Sequence, residues 1–189
     1  MMKNFILASA SPQRKKLLEQ IGLVPEKIEP ANIDETPSKF EKPTAYVKRM
    51  ALEKALYVAK LNPNKVVLAC DTIIVVNSKI IQKAKNDDEQ KNVMNMLSGK
   101  SHKVLSAVCV INTDGKPSLR INVNKIIMKK LSNQEIDDYV ATKEWVGCAG
   151  YKIEGCMAAF VRKIIGSYSG IVGLPLFETK NLLNGAGIK

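Results

Sequence analysis

Asp71 is the side chain in this sequence best placed to do chemistry. It directly follows residues 65–70 (KVVLAC), an apolar run that predicts a buried strand ending at Asp71. A carboxylate at the end of a buried strand emerges at the edge of a sheet, where α/β proteins usually build their sites. It could orient a metal ion or deprotonate an attacking water, the two tasks of phosphoanhydride hydrolysis. An aspartate that only caps a turn is the alternative.

A second candidate is the segment LASASPQR, residues 7–14, which joins a predicted strand to a helix that begins at Ser11 and Pro12. Free backbone N–H groups and the positive end of the helix dipole favour an anion at such a junction, and Arg14 lies in the first turn. The alternative is that Ser11 simply caps the helix. Since no GKS or GKT follows, the segment is not a Walker A loop.

Several further groups could serve a phosphorylated ligand. Asp34 and Glu35 form an acidic pair in NIDETP, a segment equally typical of a surface turn. Lys54 and Lys83 could neutralise phosphate oxygens, but among 29 lysines and arginines each could also be a solvated surface group. The glycines of residues 166–175 (GSYSGIVGLP) would let the backbone approach a ligand closely, or would only connect a strand to a helix.

The periodicity of apolar residues predicts the elements that position these groups. Strands alternate with helices in the first part of the chain, and the middle contains two antiparallel hairpins, at residues 73–82 and 103–128. A glycine-rich segment, a strand over residues 158–165, a loop over residues 166–173 and a helix from Pro175 follow. We therefore predict an α/β (α+β) fold with helices packed on a mixed sheet, in one domain spanning residues 1–189.

The composition of the chain limits the metal ions that it could bind and indicates the cellular compartment that we expect for it. Four cysteines without a CxxC pair and one histidine, His102, cannot form a zinc site or a disulfide scaffold. Any metal would be a hard cation, Mg²⁺ or Mn²⁺, held by carboxylate and substrate oxygens. The sequence has no apolar run of about 18 residues, and its first residues do not resemble a signal peptide. We expect a cytoplasmic protein that does not enter a membrane.

The net charge of +11 raises the question of nucleic acid binding. The lysines are scattered along the chain, only four basic residues are arginine, and no zinc-finger, RNP-like or helix-turn-helix pattern accompanies them. We therefore expect no nucleic acid partner, whereas a small polyanion such as a triphosphate is compatible with this charge.

Eight ordered segments resemble the Maf family of nucleoside triphosphate pyrophosphatases. They extend from Ile6 to about Thr179 and comprise LASASPQRKKLL, DETP, EKA, the DT after the predicted buried strand, LSG, AGYKIEG, GSYSGIVGLP and LFET. The resemblance implies an elongated mixed sheet with a central cleft, similar in outline to inosine triphosphate pyrophosphatases. It also implies hydrolysis of a nucleoside triphosphate to the monophosphate and pyrophosphate, a divalent cation and a homodimer.

The same resemblance assigns roles to individual residues. It implies that Asp71 is the general base and that Glu35 and Asp71 hold the metal ion. The segment after Lys83 departs from the family pattern, because Ala84 and Asn86 stand where proline and aspartate are expected. Substrate-binding side chains are implied at five positions: Ser9, Ser11, Arg14, Lys54 and Lys83.

Specificity in the family depends on three positions that correspond to Gln13, Thr72 and Glu154. The branch that acts on dTTP and UTP typically has arginine, threonine and glutamine there, so this sequence is a mixture. Glu154 only accepts hydrogen bonds and suits a base edge with N–H donors such as guanine, and Cys148 also resembles the 7-methyl-GTP branch. We therefore favour a 7-methyl-GTP-like purine over dTTP or UTP. The alternative function is a non-catalytic, nucleotide-binding regulator of septum formation and cell division.

Overall fold

The computed structural model describes residues 4–189 and contains seven strands and six α-helices within them. The strands are β1 (Phe5–Leu7), β2 (Lys27–Ile28), β3 (Val66–Val76), β4 (Lys79–Ile80), β5 (Ser101–Ile111), β6 (Pro117–Met128) and β7 (Val161–Ile165). The helices are α1 (Pro12–Gln20), α2 (Pro43–Leu61), α3 (Asp87–Leu97), α4 (Asn133–Ala141), α5 (Tyr168–Val172) and α6 (Leu176–Gly185).

All seven strands belong to one mixed sheet. Six of them follow the order β2-β1-β3-β5-β6-β7, and β4 pairs with β3. The β1 strand is parallel to β2 and β3, whereas the remaining pairs are antiparallel. Helices pack on both faces, so the predicted α/β class with a mixed sheet is confirmed.

The β3 strand is longer than predicted. Its pairing with β5 runs without interruption from Val67 to Val75, so Asp71 lies in the middle of the strand, opposite Ala107. The prediction that the strand ends at Asp71 is wrong. The following residues TIIVV are β-branched and favour a strand, and a lysine compensates the aspartate charge, so the acid does not break the strand.

The other edge of β3 is only partly covered by neighbouring strands. Its pairing with β1 ends at Leu68, whose carbonyl accepts from the Ala8 N–H at 2.8 Å. Backbone hydrogen bonding along this edge resumes at Ile74, whose carbonyl accepts from the Ile81 N–H at 2.9 Å. Within the part of the chain that the structure describes, residues 69–73 have no strand beside them on this edge. We call this interruption the sheet gap.

Successive side chains of β3 face opposite sides of the sheet, as the pleat requires. Ala69 and Ile73 pack with Met50 and Ala51 of α2 in one buried cluster, and α2 presents these residues because its apolar positions recur at helical spacing. Cys70 packs on the opposite face, in a cluster with residues of α1 and α6. Asp71 and Thr72 are therefore directed to opposite faces at the sheet gap.

The region before α6 differs from the prediction in two places. Only Val161–Ile165 of the predicted strand at residues 158–165 is extended, because a short 3₁₀ helix, Cys156–Phe160, precedes it. The predicted loop at residues 166–173 contains α5. Ser167 caps this helix by accepting from the Gly170 N–H, and Gly173 ends it with a φ of 131°, which a residue with a side chain rarely adopts.

The other predicted helix starts agree with the structure. Ser11 caps α1 with Pro12 in its first turn, as predicted, and Ser132 and Glu135 form a capping box at the start of α4. No helix within residues 4–189 is long and apolar enough to cross a membrane. The expectation that the chain lacks a signal peptide rests partly on residues 1–3, which lie outside the described residues.

Candidate active site

A cavity of about 1200 Å³ opens at the sheet gap. It is bounded by the end of β1, the start of α1, the middle of β3, the chain after β4 and residues 146–154. Ten of the side chains that the sequence singled out line this cavity: Ser9, Ser11, Gln13, Arg14, Glu35, Lys54, Asp71, Thr72, Lys83 and Glu154. Asp34, the other acid of the predicted pair, does not line it, and its Oδ1 accepts from the Thr36 N–H at 2.8 Å.

Two carboxylates in the cavity converge on one ammonium group. Lys54 Nζ lies 2.6 Å from Asp71 Oδ1 and 3.1 Å from Glu35 Oε1. The α2 helix places Lys54 there, since its buried side packs on the same face of β3 to which Asp71 points. Asp71 is 7% exposed and Lys54 is 9% exposed, whereas Glu35 is largely exposed. The pair of Lys54 and Asp71 is therefore held where water screens it little.

Tyr46 fixes the segment that carries Glu35. Its hydroxyl donates a 2.7 Å hydrogen bond to the backbone carbonyl of Glu35. Burial, reinforced by the carboxylates of Asp71 and Glu35, raises the pKa of Tyr46 to about 12. The phenol thus stays protonated and keeps donating, which ties the extended segment to α2.

The two carboxylates fit a divalent cation that also binds substrate oxygens. Oxygen ligands are those that Mg²⁺ and Mn²⁺ prefer, and Glu35 and Asp71 are close enough to share one cationic neighbour. No group of three or more His, Cys, Asp and Glu side chains within residues 4–189 is arranged to hold an ion. An ion held by Glu35 and Asp71 would therefore need the phosphates of the substrate as further ligands.

The first loop brings Arg14 to the cavity wall. Its Nη1 donates to Ser9 Oγ at 2.8 Å, and its Nε donates to the Gly173 carbonyl at 2.9 Å. Ser11 accepts from the Arg14 N–H at 3.4 Å and donates to Gln13 Oε1 at 3.3 Å. Ser11 thus caps α1, which was the alternative interpretation of this segment. The N-terminus of α1 nevertheless lines the cavity and keeps its preference for an anion.

The segments that carry Lys83 and Glu154 contact each other beside the cavity. Lys83 forms an isolated antiparallel bridge with Ala149, so its place is defined despite the departure from the family pattern. Gln90 of α3 is fully buried and donates from Nε2 to the Gly150 carbonyl at 2.6 Å. These contacts attach residues 147–155, the segment that carries Glu154, to α3 and to the chain after β4.

Sequence reasoning missed a hydrogen-bonded group on the other face of β3. Thr72 Oγ1 lies 2.8 Å from Ser106 Oγ, and Ser106 Oγ donates to the Gly170 carbonyl at 2.7 Å. Cys70 Sγ donates to the Gly173 carbonyl at 3.1 Å, and burial raises the pKa of this thiol, which keeps its proton. A serine within the apolar run VLSAVCV of β5 was the available signal.

A smaller cavity of about 470 Å³ adjoins the first and shares four lining residues with it: Gln13, Lys152, Glu154 and Val172. Two of the three specificity positions, Gln13 and Glu154, therefore stand where the cavities meet. Thr72 lines only the larger one.

Together these features define a class of protein. A cleft through a mixed sheet that combines a helix N-terminus, an arginine and lysines with two carboxylates can bind a phosphorylated ligand and activate water beside it. The chain belongs to the Maf family, because residues 4–186 match the family model described as Maf-like protein.

Curated relatives match almost the whole chain. A protein from Zymomonas mobilis is 45% identical over 99% of this chain and 93% of its own length. One from Sphingopyxis alaskensis is 47% identical over 99% of this chain and 98% of its own length. A third, from Rhodospirillum rubrum, is 47% identical over 97% of this chain and 88% of its own length. All three are named dTTP/UTP pyrophosphatase.

Among solved structures, a HAM1 protein from Coxiella burnetii is 20% identical to this chain. The match covers 67% of this chain and 73% of that one, with a TM-score of 0.49.

Proposed function

We propose that this protein hydrolyses dTTP and UTP to the nucleoside monophosphates and pyrophosphate. The broader class, a nucleoside triphosphate pyrophosphatase, is confirmed by its relatives. The observation that carries the proposal is the convergence of Asp71 and Glu35 on Lys54 in a cavity lined by the start of α1. This arrangement supplies a carboxylate to activate water beside groups that neutralise phosphate.

In the proposed reaction, Asp71 accepts a proton from a water that attacks the α phosphorus, and pyrophosphate leaves. Lys54 engages Oδ1 of Asp71, which leaves Oδ2 to receive the proton. Arg14 and the N–H groups at the start of α1 neutralise charge on the phosphates. A divalent cation held by Glu35, Asp71 and phosphate oxygens would supply further charge neutralisation.

The substrate in this proposal differs from the one that the sequence favoured. Relatives at 44–47% identity carry the name dTTP/UTP pyrophosphatase, which does not support a 7-methyl-GTP-like purine. Glu154 and Cys148, the basis of that preference, both line the cavity. Thr72, which resembles the pyrimidine branch, lines it as well, and we give Thr72 the greater weight.

The test is release of pyrophosphate from dTTP, UTP, CTP, ATP, GTP and 7-methyl-GTP, with Mg²⁺ or Mn²⁺ and with a chelator. We expect the wild type to act on dTTP and UTP and to lose activity in the chelator. The Asp71→Asn variant should lose at least about 100-fold in kcat, because the amide cannot accept the proton of the water.

Asp114→Asn is the matched control, since Asp114 lies exposed in the turn between β5 and β6 and does not line the cavity. It should retain wild-type turnover. Near-normal turnover by Asp71→Asn would exclude Asp71 as the base, and preference for 7-methyl-GTP would restore the purine reading. Nucleotide binding without any turnover by the wild type would favour the non-catalytic regulator.

The homodimer and the cytoplasmic location that the family resemblance and the composition imply remain predictions. The mass of the protein in solution would test the first and fractionation of cells the second.

A further inference from the structure

Ser106 is a polar residue in an apolar environment that the proposed reaction does not use. It lies in β5 directly opposite Thr72 of β3, and it is fully buried between Leu105 and Ala107. A buried hydroxyl is costly unless it is hydrogen-bonded. Ser106 satisfies this requirement with two partners, Thr72 and the Gly170 carbonyl.

The contact with Gly170 depends on a close approach of α5 to the sheet. A Cβ at position 170 would lie 2.4 Å from Asn122 Oδ1, so glycine permits this packing without displacing the Asn122 side chain. The approach brings the Gly170 carbonyl to 2.7 Å from Ser106 Oγ. A carbonyl can only accept, so the single hydroxyl hydrogen of Ser106 is donated to Gly170.

The direction of the second hydrogen bond follows from the first. Because the hydrogen of Ser106 is already used, the 2.8 Å contact requires Thr72 to donate to Ser106 Oγ. The Gly173 carbonyl, at 3.4 Å from Thr72 Oγ1, is a weaker competitor, since it already accepts from Arg14 and Cys70 at 2.9 and 3.1 Å. The Thr72 hydroxyl hydrogen therefore points away from the cavity.

We infer that Ser106 is a positioning residue that makes Thr72 an obligatory hydrogen-bond acceptor for the base of the substrate. The inference rests on the proposed hydrolysis of dTTP and UTP. An oxygen that offers only lone pairs repels phosphate oxygens, so its partner is a hydrogen-bond donor, and the donors of a pyrimidine base are N–H groups. Uracil and thymine carry a hydrogen on ring N3, whereas N3 of cytosine is itself an acceptor. A Thr72 oxygen aligned with N3 thus selects dTTP and UTP against CTP.

The test compares kcat/KM for UTP and CTP in the wild type, Ser106→Ala, Thr72→Val and the double variant. In Ser106→Ala the Thr72 hydroxyl is free to turn and donate to cytosine N3. We expect kcat/KM for CTP to rise and the ratio of UTP to CTP to fall about tenfold, the effect of one mismatched buried hydrogen bond. Once Thr72→Val has removed the hydroxyl, Ser106→Ala should not change the ratio further.

Ser167→Ala is the control for structural damage. It deletes another hydroxyl that holds α5, through the Gly170 N–H, and it does not contact Thr72. It should change the UTP and CTP rates by the same factor and leave their ratio unchanged.

The outcomes separate this inference from the proposed function. Failure of the wild type to hydrolyse dTTP and UTP removes the proposed function. Equal kcat/KM for UTP and CTP in a wild type that hydrolyses UTP removes only the inference. Preference for UTP in the wild type, with an unchanged ratio in Ser106→Ala, removes only the role of Ser106. If Ser106→Ala lowered kcat/KM for UTP and CTP by the same factor, Ser106 would be only a structural residue. If Ser106→Ala changed the ratio of UTP to CTP in the Thr72→Val variant as well, Ser106 would not act through Thr72.

Discussion

The two carboxylate oxygens of Asp71 have different surroundings. Oδ1 accepts a 2.6 Å hydrogen bond from Lys54, whereas Oδ2 has no hydrogen-bond partner among the described residues. A base needs a free oxygen and a fixed orientation at the same time. In the proposed reaction, Lys54 therefore orients Asp71, and Oδ2 accepts the proton of the water.

The first prediction concerns Lys54. Replacement by glutamine removes the cation between Asp71 and Glu35, so the two negative charges face each other without compensation. We expect Lys54→Gln to lower kcat/KM for UTP by at least about 100-fold, because both positioning and charge neutralisation are lost. Steady-state release of pyrophosphate measures the effect.

Lys60→Gln provides the comparison, since Lys60 lies exposed in the last turn of the same helix and does not line the cavity. This variant should behave like the wild type. If Lys54→Gln retained full activity, the convergence of the carboxylates on Lys54 would have no catalytic significance.

At the scale of elements, the sequence was informative about the candidate residues but not about their surroundings. The strand at residues 65–70, the start of α1 and the helix carrying Lys54 could be predicted, because apolar spacing, Ser11 and Pro12 are local signals. The continuation of β3 through Asp71 depends on β5 and on Lys54, which are distant in sequence. Local patterns do not contain that information.

The sheet gap could not be predicted either, because it also depends on elements that are distant in sequence. It exists because β1 ends beside Leu68 and the chain after β4 returns only at Ile74, and neither end is encoded in β3 itself. The α5 helix, in contrast, carried local signals that could have been read. Ser167 precedes it as a cap, and Gly173 follows as a stop.

The second prediction concerns the attachment of residues 147–155 to α3. Gln90→Leu keeps the side-chain volume close to that of glutamine but removes the donor to the Gly150 carbonyl. The buried carbonyl then lacks this partner, whereas removal of the unpaired Gln90 Oε1 offsets part of the cost, so we expect a loss of about 1 kcal/mol in the free energy of unfolding. Urea denaturation measures it.

Gln134→Leu on the exposed side of α4 is the matched change, and it should alter stability by less than about 0.5 kcal/mol. Equal effects of the two substitutions would mean that the contact between Gln90 and Gly150 does not stabilise the segment.

At the scale of the whole molecule, one buried imidazole couples stability to pH. His102 is 3% exposed, and its Nε2 lies 2.6 Å from the hydroxyl of Tyr151. Burial lowers the pKa of His102 from 6.5 to about 4. The unfolded chain therefore binds a proton in a range where the folded chain does not.

The sign of the third prediction follows from this difference. The contribution of His102 to stability is fully present above pH 6.5 and is lost as the pH falls toward 4. Between pH 7 and pH 5 we expect the free energy of unfolding to fall by about 2 kcal/mol from this residue. Urea denaturation at the two pH values measures the loss.

His102 is the only histidine in the sequence, so His102→Gln removes the only imidazole. The variant should show a smaller loss of stability between pH 7 and pH 5 than the wild type. Identical losses in both proteins would contradict the burial of a neutral imidazole.

At the sheet gap, the proposed proton acceptor and the proposed base-recognising residue face opposite sides of the sheet. Asp71 and Thr72 are adjacent in sequence, yet the pleat sends one toward α2 and Lys54 and the other toward α5 and Ser106. In the proposed mechanism, a substitution in the second set changes the chosen base and leaves Asp71, the proposed proton acceptor, undisturbed on the far face. We therefore expect that nucleotide choice can be altered at Thr72 and Ser106 while Asp71 and Lys54 stay unchanged, whereas changes at the end of α5 would also affect Arg14, which donates to the Gly173 carbonyl.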